Sequence, residues 1–277
     1  MTNANEGAIK PRRMQFDTEN MKMSQFLIED NSLISTFFYS LSAMFPEGER
    51  FFIHAVRHYQ SAITDPKMLK DIRGFIGQEA HHGRCHDDLN NAIEKIGIPM
   101  SMITDNMVSR VKMLKNRFGP ERQLALTVAM EHFTASLAEF ILENPEVLDN
   151  APETFRKMML WHSVEEIEHK AVAFDVFRLQ VNDEFMRRRV MVIAMITIFS
   201  RIAFFQVRML WKTKHMPSMK EWIAATRFFW GKKGMLRANS NGMKKFFQRD
   251  FHPNDIDQSA LIDGWEKRFP EVAAQEA

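Results

Sequence analysis

A chain of 277 residues, 45% hydrophobic and 26% charged, is long enough to bury a substantial core. Its formal net charge of +2 gives no whole-chain footprint for nucleic acid, and its single cysteine, Cys85, excludes an intrachain disulfide and a thiolate metal cluster. Glycine is scarce at 11 residues while methionine (21) and phenylalanine (24) are abundant, a balance that favours helices over a strand-rich fold.

Residues 1–20 read as a flexible polar tail holding Pro11, Arg12 and Arg13. The first thirty residues lack the uninterrupted apolar core of a signal peptide, so the expected location is cytoplasmic. A helix is predicted over 22–44, stopping before Pro46, which suits the first turn of a new helix reaching Ala62. Asp65-Pro66 ends that helix, and the next is predicted over 66–96, closed by Gly97 and Pro99. A shorter helix follows over 102–117, then two long ones near 120–143 and 152–180. Period-two alternation is missing throughout, so the predicted class is all-α.

Four glutamates fall on separate predicted helices: Glu49, Glu79, Glu131 and Glu166. Two of them open a Glu-x-x-His motif, giving Glu79 with His82 and Glu166 with His169. Residues three apart share a helix face, so each motif presents a carboxylate and an imidazole to one point. The order Glu, Glu-x-x-His, Glu, Glu-x-x-His describes a two-metal carboxylate bundle. The predicted fold is therefore a ferritin-like four-helix bundle over 21–185, with additional N- and C-terminal helices and a C-terminal extension over 186–277. His162, four residues before Glu166, lies in the same arc and stands as a further ligand or as a buried partner of one. Glu47, His86 and His132 are candidates for orienting the ligands, and Glu49 is preferred over Glu47 as the first-helix ligand.

The stretches Phe45-Pro46-Glu47-Gly48-Glu49-Arg50-Phe51-Phe52, Gln78-Glu79-Ala80-His81-His82 and Trp161-His162-Ser163-Val164-Glu165-Glu166-Ile167-Glu168-His169 resemble a bacterial family catalogued as predicted metal-dependent hydrolases. The later Phe251-His252-Pro253 is similar to that family too. The extra histidine makes the motif alone similar to that of di-iron aryl-amine N-oxygenases. The leading expectation is a centre of two metal ions, with iron preferred and manganese or zinc compatible, which activates dioxygen to oxidise a small apolar substrate. The alternative, implied by the hydrolase resemblance, is a metal-activated water. A non-catalytic metal-binding bundle is the third reading.

The C-terminal third differs in character. Residues 190–211 are strongly apolar, and residues 212–250 hold ten Lys or Arg against Glu221 and Asp250, a local charge of +8. Arg201 cuts the apolar run, so a simple span is not expected; a fifth helix packed on the bundle is the first reading and an interfacial helix touching a membrane surface the second. The expected partner is thus a small-molecule substrate, with no nucleic acid, and peripheral membrane contact is the secondary reading. A reductase and a second copy in a homodimer are compatible partners that no motif specifies.

Overall fold

The computed structural model describes residues 9–28 and 30–273. Eight helices of nine residues or more organise it: α1 (Ser32–Tyr59), α2 (Pro66–Lys95), α3 (Ser101–Arg117), α4 (Pro120–Glu143), α5 (Glu153–His169), α6 (Val172–Gln180), α7 (Glu184–Lys212) and α8 (Met219–Trp230). The all-α class holds. Helix α1 packs on α2 and α4, and α5 packs on α4 and α2, so these four close a ring. Helix α7 lies across α1 and α4 from outside, while α3 covers α1.

The first two predicted helices are corrected. Residues 22–28 and Asp30 are not helical, and the N-cap is Asn31, whose side chain accepts from the amides of Leu33 and Ile34 at 3.0 and 3.1 Å. From there α1 runs unbroken through Pro46. A helical proline lacks an N–H, so it strands the carbonyl four residues earlier, here that of Ser42. Asn90 on α2 satisfies that carbonyl, donating from Nδ2 at 3.0 Å. A cross-helix side chain thus replaces the missing bond, and the predicted stop becomes a through-helix. The predicted helix 152–180 is also divided: α5 ends at His169 and α6 starts at Val172. Between them, Lys170 sends its buried amine to the Ile256 carbonyl (2.7 Å) and Gln258 Oε1 (2.6 Å).

Residues 9–20 do not form the predicted flexible tail; residues 1–8 of that tail lie outside the described residues. Met14 is buried, and its carbonyl lies 2.8 Å from His81 Nε2. Ile9 and Pro11 press so closely on α2 at Gly74 and Gly77 that a Cβ on either glycine would overlap them. The strap therefore uses glycine as its seat, which offsets the helix-propensity cost of about 1 kcal/mol per residue.

The C-terminal segment is pinned by Arg187, fully buried on α7. Its guanidinium donates to the carbonyls of Phe246 and Gln248, pairs with Glu184 at 2.7 Å, and sits 4.6 Å from the Phe246 ring. Phe251 fills the same pocket and His252 bonds Asp175 at 2.8 Å, so the Phe-His-Pro stretch here is a clamp on the bundle.

Replacing Asn90 by alanine leaves the Ser42 carbonyl buried and unpaired, and should cost about 1–3 kcal/mol in a denaturant titration. In a Pro46→Ala background the restored amide satisfies that carbonyl, so the cost of Asn90→Ala should shrink. Equal costs in both backgrounds would contradict the replacement.

Candidate metal centre

Each helix of the ring delivers a carboxylate inward: Glu49 from α1, Glu79 from α2, Glu131 from α4 and Glu166 from α5, all at most 5% exposed. His82 and His169 are fully buried with them. Glu166 Oε1 stands 3.5 Å from His82 Nδ1, 3.6 Å from His169 Nε2 and 2.8 Å from His162 Nε2. Glu79 Oε1 lies 3.0 Å from His169 Nε2 and 3.7 Å from His82 Nδ1. One donor atom from each of Glu79, His82, Glu166 and His169 falls within 4.8 Å of the others, and the same holds for Glu49, His86 and His162.

The decisive feature is how these atoms fail to pair. Both oxygens of Glu49 and of Glu79, Oε1 of Glu131, Nδ1 of His82 and Nε2 of His169 are buried without a hydrogen-bond partner. The 3.0 Å between His169 Nε2 and Glu79 Oε1 is thus proximity without alignment, with both atoms turned on a shared point. Leaving one buried polar atom unpaired costs about 1–3 kcal/mol, more for a charged group, so a protein does not collect seven by accident. Lone pairs that converge on a point ask for a cation.

The outer atoms of the same side chains are, in contrast, well held. His82 Nε2 meets Glu165 Oε2 at 3.0 Å, and Glu165 in turn accepts from the Arg12 amide and guanidinium, both at 3.1 Å. Arg12 also grips Glu168 at 2.6 and 2.8 Å. His169 Nδ1 meets Glu131 Oε2 at 3.0 Å. Carboxylates on the outer nitrogens fix the ring orientation and leave the inner nitrogens for a metal. Burial lowers both imidazoles, yet the surrounding carboxylates, Glu165 foremost for His82 and Glu131 for His169, hold them well above the ordinary histidine range. Burial also pushes the Glu131 carboxyl up to about 8. Among the described residues the arginine nearest these groups, Arg12, pairs with Glu165 and Glu168 and with none of the four inward glutamates.

A third chain of bonds fixes His162. Asn90 spends its Nδ2 on the Ser42 carbonyl, so its Oδ1 accepts from Ser42 Oγ at 2.7 Å. Ser42 Oγ also meets His86 Nδ1 at 2.9 Å, and His86 Nε2 meets His162 Nδ1 at 2.9 Å. His162 Nε2 in turn donates to Glu166 Oε1 at 2.8 Å and lies 4.0 Å from Glu49, so a cation binding at that nitrogen would displace its proton. Burial, with His162 and His82 beside it, holds His86 well below the ordinary histidine range, in keeping with a neutral ring.

Seven residues read from the sequence therefore meet: Glu49, Glu79, His82, Glu131, His162, Glu166 and His169, with His86 behind His162. Glu47 does not join them; it faces outward and pairs with Arg50 at 2.6 Å. His132 does not either, because its Nε2 bonds the Gly242 carbonyl at 3.1 Å and its ring packs on Phe246 and Phe251. Glu165, Arg12, Ser42 and Asn90 were missed. Glu165 carried one signal, its place beside Glu166, and the other three carried none.

A family model described as "Predicted metal-dependent hydrolase" matches residues 10–257. Comparison with curated proteins and with solved structures finds no match. The family description overturns the expectation of a dioxygen-activating oxidase and supports the hydrolase alternative; it does not bear on which metal the centre holds.

Glu165→Gln puts an amide N–H where His82 Nε2 has an acceptor, so it should favour the wrong tautomer and lower metal affinity about 10–100-fold. Calorimetric titration of metal-free protein with a divalent cation measures the change, and unaltered affinity would remove Glu165 from the support of His82.

Proposed function

The chain belongs to the family of predicted metal-dependent hydrolases, and we propose that it is an enzyme that uses two metal ions in this centre to hydrolyse a small-molecule substrate. The observation that carries the reading is the set of buried, unpartnered carboxylate and imidazole atoms, which belong to two donor groups, Glu79, His82, Glu166 and His169, and Glu49, His86 and His162. Two divalent cations would balance the four glutamates in their ionised form and would offset the burial that raises Glu49 and Glu131. Glu49, Glu79, His82 through Nδ1, His162 through Nε2, Glu166 and His169 through Nε2 would hold the cations, with the unpartnered Oε1 of Glu131 beside them. A nitrogen and oxygen donor set of this kind suits iron, manganese or zinc.

Two bound cations supply acidified water and a polarising charge for a carbonyl or phosphoryl oxygen. The protein's own part is to position and to exclude. A cavity of about 40 Å³ opens beside His162 and Glu166 and is bordered by Ser42, Phe45 and Ser163. It is large enough for one reacting group. Phe37, Phe155 and Met159 line the same space with apolar surface, which keeps bulk water away and strengthens the electrostatics within. Ser42, Asn90 and His86 hold the His162 ring in place, while Arg12 and Glu165 hold His82.

Purified protein should carry close to two metal ions per chain, and Glu79→Ala or Glu166→Ala should reduce that loading sharply while the helical circular-dichroism signal persists. Ester and phosphoester probes should be cleaved by the loaded protein, lost on chelation and recovered when metal is returned. Full cleavage by metal-free protein would refute the mechanism.

A further inference from the structure

A second, much larger cavity, of about 620 Å³, lies between α1, α3, α4 and α7. That volume is within the range of about 300–1,000 Å³ usual for small-molecule pockets. Its walls are apolar, with Met44, Phe52, Met107, Met130, Phe133 and Ala194 among them. Leu41, Phe45 and Thr134 line both this cavity and the small one beside His162. The Phe45 ring stands edge-on to His162, 5.1 Å between centroids, so one side chain separates the apolar cavity from the metal centre.

Charge on the cavity wall is one-sided. Arg110, Arg117, Arg122, Arg189 and Arg201 line it, against the single carboxylate of Asp183. That carboxylate is occupied as the N-cap of α7, accepting from the Met186 amide at 2.8 Å. Arg110 on α3 and Arg201 on α7 are both half-buried and near enough to repel each other. Neither makes an ion pair among the described residues, and Arg201 keeps its Nε buried and unpartnered, with Asn106 as its one hydrogen-bonded oxygen. Arg201 also lies over the Phe205 ring, 5.2 Å from its centroid, so what it lacks is an acceptor at its buried Nε, which an anion in the cavity would supply.

We infer that this cavity binds an amphiphile, an apolar chain bearing one anionic group, with the anion held by Arg110 and Arg201 and the chain directed toward Phe45. The inference rests on the hydrolase reading only in making this molecule the substrate class; binding itself needs no metal. Metal-free protein is therefore the sample to titrate, which also prevents an anion from docking at the centre. Hexadecanoate, hexadecyl phosphate and neutral hexadecanol are the probes, against wild type, Arg110→Gln, Arg201→Gln and the double variant. At least one anionic probe should bind saturably and weaken about tenfold or more in the double variant, in line with loss of charge-assisted hydrogen bonds, while hexadecanol is indifferent to the substitutions. Absence of saturable binding by both anionic probes, or equal binding by wild type and the double variant, overturns the inference. Loss of hydrolysis with binding intact would instead count against the metal mechanism alone.

The exposed face of α7 and α8 is a separate feature. By length and composition α4 and α7 are each apolar enough to span a membrane; α4 is 83% buried over its apolar window, but α7 only 22%. Helix α7 has two apolar stripes. Met191, Ala194, Ile202, Phe205 and Met209 are buried, while Ile193, Ile196, Phe204, Val207 and Trp211 are 52–72% exposed at helical spacing. Trp222, Ile223 and Trp230 extend that apolar surface onto α8 at 54–64% exposure. The basic stretch 212–250 follows α7, and Glu221, one of its two acidic residues, is consumed in hydrogen bonds to Ser32 and Ser218. We propose that this face seats on an anionic bilayer surface, with the aromatic residues at headgroup depth and lysines and arginines over the phosphates. Co-sedimentation with phosphatidylserine-containing vesicles at low salt should exceed that with phosphatidylcholine alone, fall at high salt, and drop in a Trp211→Ala/Trp222→Ala/Trp230→Ala variant. Equal recovery with both lipids, or a concentration-dependent dimer in place of vesicle binding, would overturn it.

Discussion

Four carboxylates in a dry interior repel one another and have each lost their hydration, and the bundle is organised around that fact. Burial of one carboxylate costs several kcal/mol unless it is paired, and among the described residues Arg12 pairs with Glu165 and Glu168 rather than with the inward four. Arg12 approaches no closer than the outer side of His82, through Glu165. Cationic compensation is thus kept one layer out, where it orients an imidazole, and the inner layer is left for metal. An inner arginine would have stabilised the fold and closed the site.

Around that inner layer the supports are unlike one another. His82 leans on a carboxylate anchored by the N-terminal strap, His169 on Glu131 from α4, and His162 on a relay of neutral groups ending at the Ser42 carbonyl. The relay exists because Pro46 disables one helical hydrogen bond. A local defect in α1 thereby becomes an acceptor that fixes α2 against it, and the same asparagine starts the hydrogen-bond chain that ends at His162. Stability and chemistry share those atoms, so a change at Asn90 acts on both.

Much of the centre was legible in the sequence because helical spacing is a local property. Glu79 with His82, and Glu166 with His169, need only the helix itself to share a face, and the ring of four helices then brings the pairs together. Helix ends set by Pro66, Gly97 and Pro120 were legible for the same reason. Pro46 was misread as a stop, since the group that rescues its stranded carbonyl lies 48 residues away. Arg12 looked like tail because its partners on α5 are 153 and 156 residues distant. Glu47 and His132 have the chemistry of site residues but face other neighbours, and facing is settled only by packing.

The N-terminal strap has a consequence for assembly. Arg12 is made early and Glu165 much later, and closing so long a loop carries a chain-entropy cost that grows with its length. Helix pairs such as α1 with α2 have shorter connections and can meet first. The strap then settles onto a bundle already largely in place, so the metal-binding geometry around His82 matures last. A proteolytic cut near Arg13, or a bulky fusion that pulls the strap off Gly74 and Gly77, would leave every ligand in the chain and still slacken the centre.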